Sequence, residues 1–224
     1  MTEARDPASH TAYSRRMSDL HCPATLLIAR HGDAQYAVDG VLSDDGGALT
    51  DKGREQVRHL VEQVRPRRIA EVYCSTMDRA VQSAELAASE LGVRPVVAEG
   101  LQEFSVGELA GVSFQDPRAQ QVFDGWLHGD LDAGCPGAED GHAVVKRFRE
   151  ALEEIADTHR GETVLVFTHG GVMSLVVPRL SSNVRNDLVA GQRFLPNCVP
   201  AEVEVDADGW RVISWPGSTD ESVV

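Results

Sequence analysis

Two kinds of apolar pattern alternate along this chain. One is the short unbroken run, seen at Leu26 to Ala29, Glu71 to Cys74, Val96 to Ala98 and Val164 to Phe167. Runs of that length, bounded by polar or turn-forming residues, fit strands covered on both faces of a parallel sheet. The other is a stripe at helical spacing. Thr50 offers an N-cap, and Val57, Leu60, Val61 and Val64 follow three or four positions apart until Pro66. Ala80, Val81, Ala84, Ala87, Ala88 and Leu91 make a second stripe that stops at Gly92. Val145, Phe148, Ala151, Leu152 and Ile155 make a third, ending near Gly161. A further helix is expected from about Gly171, then two short strands near 202–205 and 211–214.

Strands alternating with helices predict an α/β domain, a three-layer α/β/α sandwich around a mainly parallel central sheet. It is expected over residues 23–216, between flexible tails at 1–22 and 217–224. Residues 104–142 break the rhythm, being rich in Gly, Asp and Pro with Phe114, Phe123 and Trp126 between them. That segment is expected as a lid-like excursion over one end of the sheet.

The bulk composition narrows the function by exclusion. A formal net charge of -14 over 224 residues argues against a nucleic-acid binder, which needs surplus cations to displace counterions. No stretch approaches the roughly 20 apolar residues of a membrane span. Cys22, Cys74, Cys135 and Cys198 form no CxxC pair, so neither a disulfide framework nor a zinc site is indicated. The two arginines of SRRMSDL are followed by too short an apolar stretch for an export signal, and a cytoplasmic protein is expected. An anionic ligand would have to find a local cationic island, because the field of the whole protein repels it.

Two apolar runs end alike: TLLIARHGDA at Thr25 to Ala34 and TVLVFTHGGV at Thr163 to Val172. In open parallel sheets the ligand crevice lies beyond the carboxyl ends of the strands. Arg30, His31 and His169 all stand at such ends, so neighbouring strands would deliver both imidazoles to one crevice. Arg79 follows CST on the first turn of the next helix, where free backbone amides favour an anion. His10, His21, His59, His128, His142 and His159 lack acids or cysteines at ligand spacing and are expected on the surface or in loops, so no metal and no cofactor is assigned.

With ARHGD at Ala29 to Asp33, LTDKGREQ at Leu49 to Gln56, CSTMDRAVQSAE at Cys74 to Glu85, LQEFSVGELAG at Leu101 to Gly111, PGAED at Pro136 to Asp140 and VFTHGG at Val166 to Gly171, the chain resembles the histidine phosphatase superfamily, which includes cofactor-dependent phosphoglycerate mutases. The resemblance implies a phosphoglycerate mutase-like sandwich in which His31 accepts a phosphoryl group, Arg30, Arg79 and His169 complete the phosphate pocket, and Glu103 protonates the departing oxygen. Phosphoryl transfer spreads charge over the equatorial oxygens, so fixed donors and positioning supply most of its catalysis. Arginines suit that task through their paired donors. Their field should also keep His31 neutral, with the backbone or a carboxylate fixing its tautomer.

The pattern departs from the mutases at Ala34 and Ala37, where the resemblance implies a small hydroxyl residue and an asparagine; Gln35 or Tyr36 are the expected substitutes. Gly170 and Phe104 are expected in the substrate site as well. Residues 104–142 carry Glu108, Asp116, Asp124, Asp130, Asp132, Glu139 and Asp140 against Arg118, which should penalise a polyanion, although Arg179, Arg185 and Arg193 lie where they could reach the mouth. The expected activity is therefore metal-independent hydrolysis, through a phosphohistidine, of a small phosphomonoester whose remaining body is neutral, partly apolar or cationic, with Phe104, Phe114, Phe123 and Trp126 expected at the entrance, a small phosphorylated metabolite as partner and homodimerisation left open. The alternatives are a protein phosphohistidine phosphatase, a mutase-type phosphotransferase and a non-catalytic phospho-ligand binding module.

Overall fold

The computed structural model describes residues 22–36, 38, 40–184 and 195–216. Its strands are β1 (Ala24–Arg30), β2 (Val72–Cys74), β3 (Pro95–Val97), β4 (Thr163–Thr168), β5 (Pro200–Asp206) and β6 (Gly209–Ser214). Its helices are α1 (Asp51–Val64), α2 (Asp78–Leu91), α3 (Pro117–Leu127), α4 (Gly141–Thr158) and α5 (Gly170–Leu180). The strands form one sheet in the order β3-β2-β4-β1-β5-β6. β1 to β4 run parallel, while β5 is antiparallel to β1 and β6 to β5. The sheet is thus mainly parallel, with a hairpin on one flank.

Side chains alternate across a strand, so each buried run feeds two cores. Leu26 and Ile28 face a cluster that includes Phe148 and Leu152 of α4 and Met173 and Val176 of α5. Leu27 and Ala29 face the other side, against Val57, Leu60 and Val61 of α1 and the small residues Ala80, Ala84, Ala87 and Ala88 of α2. Three layers follow directly. Thr50 caps α1 as expected, its side chain accepting from the Gly53 amide at 3.0 Å.

The segment 104–142 differs from a loose cover. It contains α3, whose Ala119, Val122 and Trp126 are buried in the same cluster as α4 and α5. The Trp126 indole N–H donates to the Ala133 carbonyl at 2.7 Å. Asp116 and Pro117 open that helix, the Asp116 carboxylate accepting from the Arg118 amide at 2.9 Å. His159, expected on the surface or in a loop, lies in the turn after α4 but is buried: Nε2 lies 2.9 Å from the Tyr73 hydroxyl and Nδ1 2.7 Å from Glu162. The tails at 1–21 and 217–224, and Ala37, Arg185 and Arg193, lie outside the described residues.

Candidate active site

The pairing of β1 with β4 answers why the chain carries two similar strand ends. Their register sets Arg30 opposite Thr168, so His31 and His169 leave the sheet side by side, with ring centroids 5.2 Å apart. The His31 amide donates to the Thr168 carbonyl at 3.0 Å and ties the two ends together.

The His31 ring is 2 % exposed and its two nitrogens have different partners. Nδ1 stands 2.7 Å from the Gly32 carbonyl, and Nε2 accepts from Arg79 Nε at 3.0 Å. A carbonyl oxygen can only accept, so the proton sits on Nδ1 and the lone pair on Nε2. Burial, the Arg79 charge and the Arg30 charge lower the His31 pKa to about 3, against the opposing pull of the Gly32 carbonyl and Asp33. The ring is neutral at pH 7, with one bare nitrogen turned to a guanidinium.

Backbone and side chains from several elements hold this corner. A Cβ on Gly32 would meet the Gly53 carbonyl at 2.6 Å, so loop and α1 touch through bare backbone. Asp33 accepts from the Thr50 hydroxyl at 2.7 Å, and the Asp33 amide donates to Gln56 Oε1 at 2.7 Å. Ser83 accepts from the Gly32 amide at 3.1 Å and donates to the Arg79 carbonyl at 2.7 Å, linking the loop after His31 to the arginine. Asn197 donates to the His31 carbonyl at 2.7 Å, and Arg30 Nη1 donates to the Leu195 carbonyl at 3.0 Å. The sequence marked Gly53 and Gln56 only as motif letters, and Thr50 as a helix cap without its bond to Asp33. Asn197 carried no local signal at all.

His169 is 1 % exposed. Its Nε2 lies 2.7 Å from the Ser75 hydroxyl, and Ser75 Oγ also accepts from the Met77 amide at 3.3 Å. His169 Nε2 is the acceptor within reach of the buried Ser75 O–H, so Ser75 donates to Nε2 and the imidazole proton is assigned to Nδ1. Burial first, then Arg79, His31 and Arg30, hold this pKa well below the usual histidine range. His169 Nδ1 and Arg79 Nη1 are both buried without a hydrogen-bond partner. Unpaired buried donors cost about 1–3 kcal/mol each, an expense that an oxyanion placed between them would offset.

Glu103 sits over the start of α5. Its carboxylate accepts from the amides of Gly171 at 2.9 Å, Val172 at 2.7 Å and Phe104 at 3.2 Å. Those bonds favour the anion, yet desolvation outweighs them and raises the pKa. Arg147 secures the loop beneath, donating to the carbonyls of Gly100 and Gln102 at 2.8 Å each and pairing with Glu139.

Part of this cluster opens into a cavity of about 380 Å³, which His169, predicted to bind substrate, does not itself line. Arg30, His31, Arg79, Glu103 and Gly170 line its floor, and Tyr36 lines it beside Arg79, whose guanidinium carbon is 5.6 Å from the Tyr36 ring centre. Phe104 lines it too, packed 4.8 Å from Trp126 and 5.5 Å from Phe123, so those aromatics form the wall and anchor 104–142 together. Gln35 does not line the cavity; it is exposed and its amide donates to the Ala48 carbonyl, because Ala34 forms an extended bridge with Leu49.

The expected acidic cover is corrected as well. Of the acids in 104–142 that were set against Arg118, Asp124 lines the cavity. Asp116 pairs with Arg118, Glu139 with Arg147 and Asp132 with His142, while Asp140 caps α4. Arg179 reaches the wall and donates to the carbonyls of Leu175 and Trp126. Among the described residues no group of three His, Cys, Asp or Glu could hold a metal ion, and no helix is long and apolar enough to cross a membrane.

Known proteins resemble this chain in sequence and fold. The family model of the histidine phosphatase superfamily (branch 1) matches residues 26–216. Phosphoglycerate mutase-like protein 4 of Arabidopsis thaliana is 28% identical over 204 residues, covering 86% of this chain and 84% of that protein. The metal-independent phosphoserine phosphatase of Arabidopsis thaliana is 27% identical over 199 residues, 85% of this chain and 80% of that one. Among solved structures, a mycobacterial glucosyl-3-phosphoglycerate phosphatase superposes with a TM-score of 0.73 at 20% identity, over 88% of this chain and 100% of its own.

Proposed function

Because the chain belongs to the histidine phosphatase superfamily (branch 1), we propose that it hydrolyses a small phosphomonoester through a phosphohistidine on His31, without a metal. One observation carries the reading: a buried imidazole whose bare Nε2 faces Arg79, next to the two buried donors, Arg79 Nη1 and His169 Nδ1, that lack partners. A phosphoryl group seated there would take the Arg79 and His169 hydrogens onto its oxygens. The Arg79 Nε–H would move from Nε2 to the phosphate, releasing the lone pair when substrate arrives.

In the first step His31 Nε2 forms a bond to phosphorus while the ester P–O bond breaks, and Glu103 gives its proton to the departing oxygen. The burial that raises the Glu103 pKa favours the protonated state needed there. In the second step the Glu103 carboxylate takes a proton from water as the water oxygen attacks phosphorus. The P–N bond breaks, and inorganic phosphate leaves with His31 neutral again. All four cysteines are free thiols, which supports a reducing, cytoplasmic setting.

The test is phosphate release from a panel of phosphomonoesters, with His31→Ala alongside. Release abolished in that variant supports the reading. Isomerised product without free phosphate would assign a mutase, preference for phosphohistidine protein would assign that substrate, and binding without turnover would assign a ligand module.

A further inference from the structure

Beside its cationic groups the cavity is lined largely by apolar side chains. Val41, Leu42, Phe114, Phe123, Trp126 and Leu175 make its outer walls. Among the described lining residues the cations are Arg30, Arg79 and Arg179, and the first two stand on the floor. Arg179 spends donors on the carbonyls of Leu175 and Trp126, which ties α5 to the end of α3. The mouth also holds two of the large apolar side chains that the protein leaves exposed, Phe114 at 40% and Val38 at 60%. Exposed apolar groups that continue a buried apolar wall mark a binding surface.

Resting on the phosphatase reading, we infer that the alcohol half of the substrate is an uncharged apolar group, aryl or branched alkyl, held by Phe114, Phe123, Leu42 and Leu175. The chemistry of the wall selects it. A carboxylate on the alcohol would lose its water against a lining that is mostly aromatic and aliphatic carbon, with Ser43, Gln120 and Ser174 as polar interruptions, in a protein of net charge -14. An apolar group there gains what the carboxylate loses, and each added methylene in such a pocket raises kcat/KM by about 10-fold or more.

The experiment compares three esters of primary alcohols: ethyl phosphate, 2-phenylethyl phosphate and phosphoserine. The matched alcohols keep leaving-group reactivity from mimicking recognition. The expected order of kcat/KM puts 2-phenylethyl phosphate at least about 100-fold above ethyl phosphate, with phosphoserine at or below ethyl phosphate. Phe114→Ala alters a side chain already 40% exposed, and circular dichroism checks that the fold is kept. The substitution should lower kcat/KM for the phenylethyl ester about 10-fold more than it lowers that for ethyl phosphate. Phosphoserine as the best of the three, or an equal effect of Phe114→Ala on all, would overturn the inference while hydrolysis itself stood. No phosphate from any ester would remove the phosphatase reading, and the inference with it.

Discussion

Replacing Arg79 by glutamine removes the charge that acts on both imidazoles. In the intact protein the His31 pKa falls from 6.5 to about 3, with burial the largest cause and Arg79 the second. That fall corresponds to about 5 kcal/mol in favour of the neutral ring. In Arg79→Gln the His31 pKa should rise from about 3 yet stop short of 6.5, because burial and Arg30 remain. The consequence for stability has a definite sign. Since the folded-state value lies below the unfolded one, the unfolded chain binds a proton that the folded chain refuses as pH drops from 6.5 towards 3. Folding stability from this group is complete above pH 6.5 and falls by up to about 5 kcal/mol across that window, with His169 acting in the same direction. Domains of this kind have about 5–15 kcal/mol in total, so the ligand-free protein should unfold within the window. Urea midpoints at several pH values, with imidazole NMR titrations beside them, read both effects. The variant should show a shallower loss of stability with acid and a kcat/KM lower by about 10²–10³-fold. A His31 that titrates near 6.5 in the unaltered protein, or identically in Arg79→Gln, would refute the reasoning.

Three further outcomes are expected. Glu103→Gln should lower kcat about 10²–10⁴-fold on alkyl phosphates and much less on nitrophenyl phosphate, whose leaving group needs no proton; equal losses on both would remove Glu103 as the acid. Ser75→Ala should free the His169 tautomer, moving its ¹⁵N shifts from Nδ1–H to a mixture and lowering kcat/KM about 10-fold; unchanged shifts would contradict the relay from the Met77 amide. Gly171→Ala would set a Cβ 2.5 Å from a Phe104 ring carbon and 2.9 Å from both Glu103 oxygens, so kcat should fall sharply while the fold, judged by circular dichroism, is kept; unaltered kcat would show that Glu103 has room to shift without loss.

Periodicity made the layers legible because buried strands and amphipathic helices each leave a local signature, as in Leu26 to Ala29 and the Val57 to Val64 stripe. The convergence of His31 with His169 was legible from strand ends, whereas the pairing that produces it is a matter of sheet order across about 140 residues of chain. Helix α3 escaped because Asp124 and Gly125 lower the helical signal of a segment that is continuous in the structure, although Asp116-Pro117 and the spacing of Ala119, Val122, Phe123 and Trp126 were there to be read. His159 escaped because its partner Tyr73 lies 86 positions away. The acids of 104–142 misled for a related reason: composition gives their sign, and only geometry shows that Asp116 and Glu139 are paired with arginines and turned from the cavity. The tautomer of His31 rests on a main-chain oxygen at Gly32, which side-chain identity does not reveal.

The measurement that bears most directly on the whole account is to quench turnover rapidly into alkali, where phosphohistidine survives, and locate the phosphoryl group by peptide mass spectrometry and ³¹P NMR. The account predicts one phosphoryl group, on Nε2 of His31, absent from His31→Ala. A phosphoryl group on another residue, or full turnover in His31→Ala with none on the protein, would contradict it.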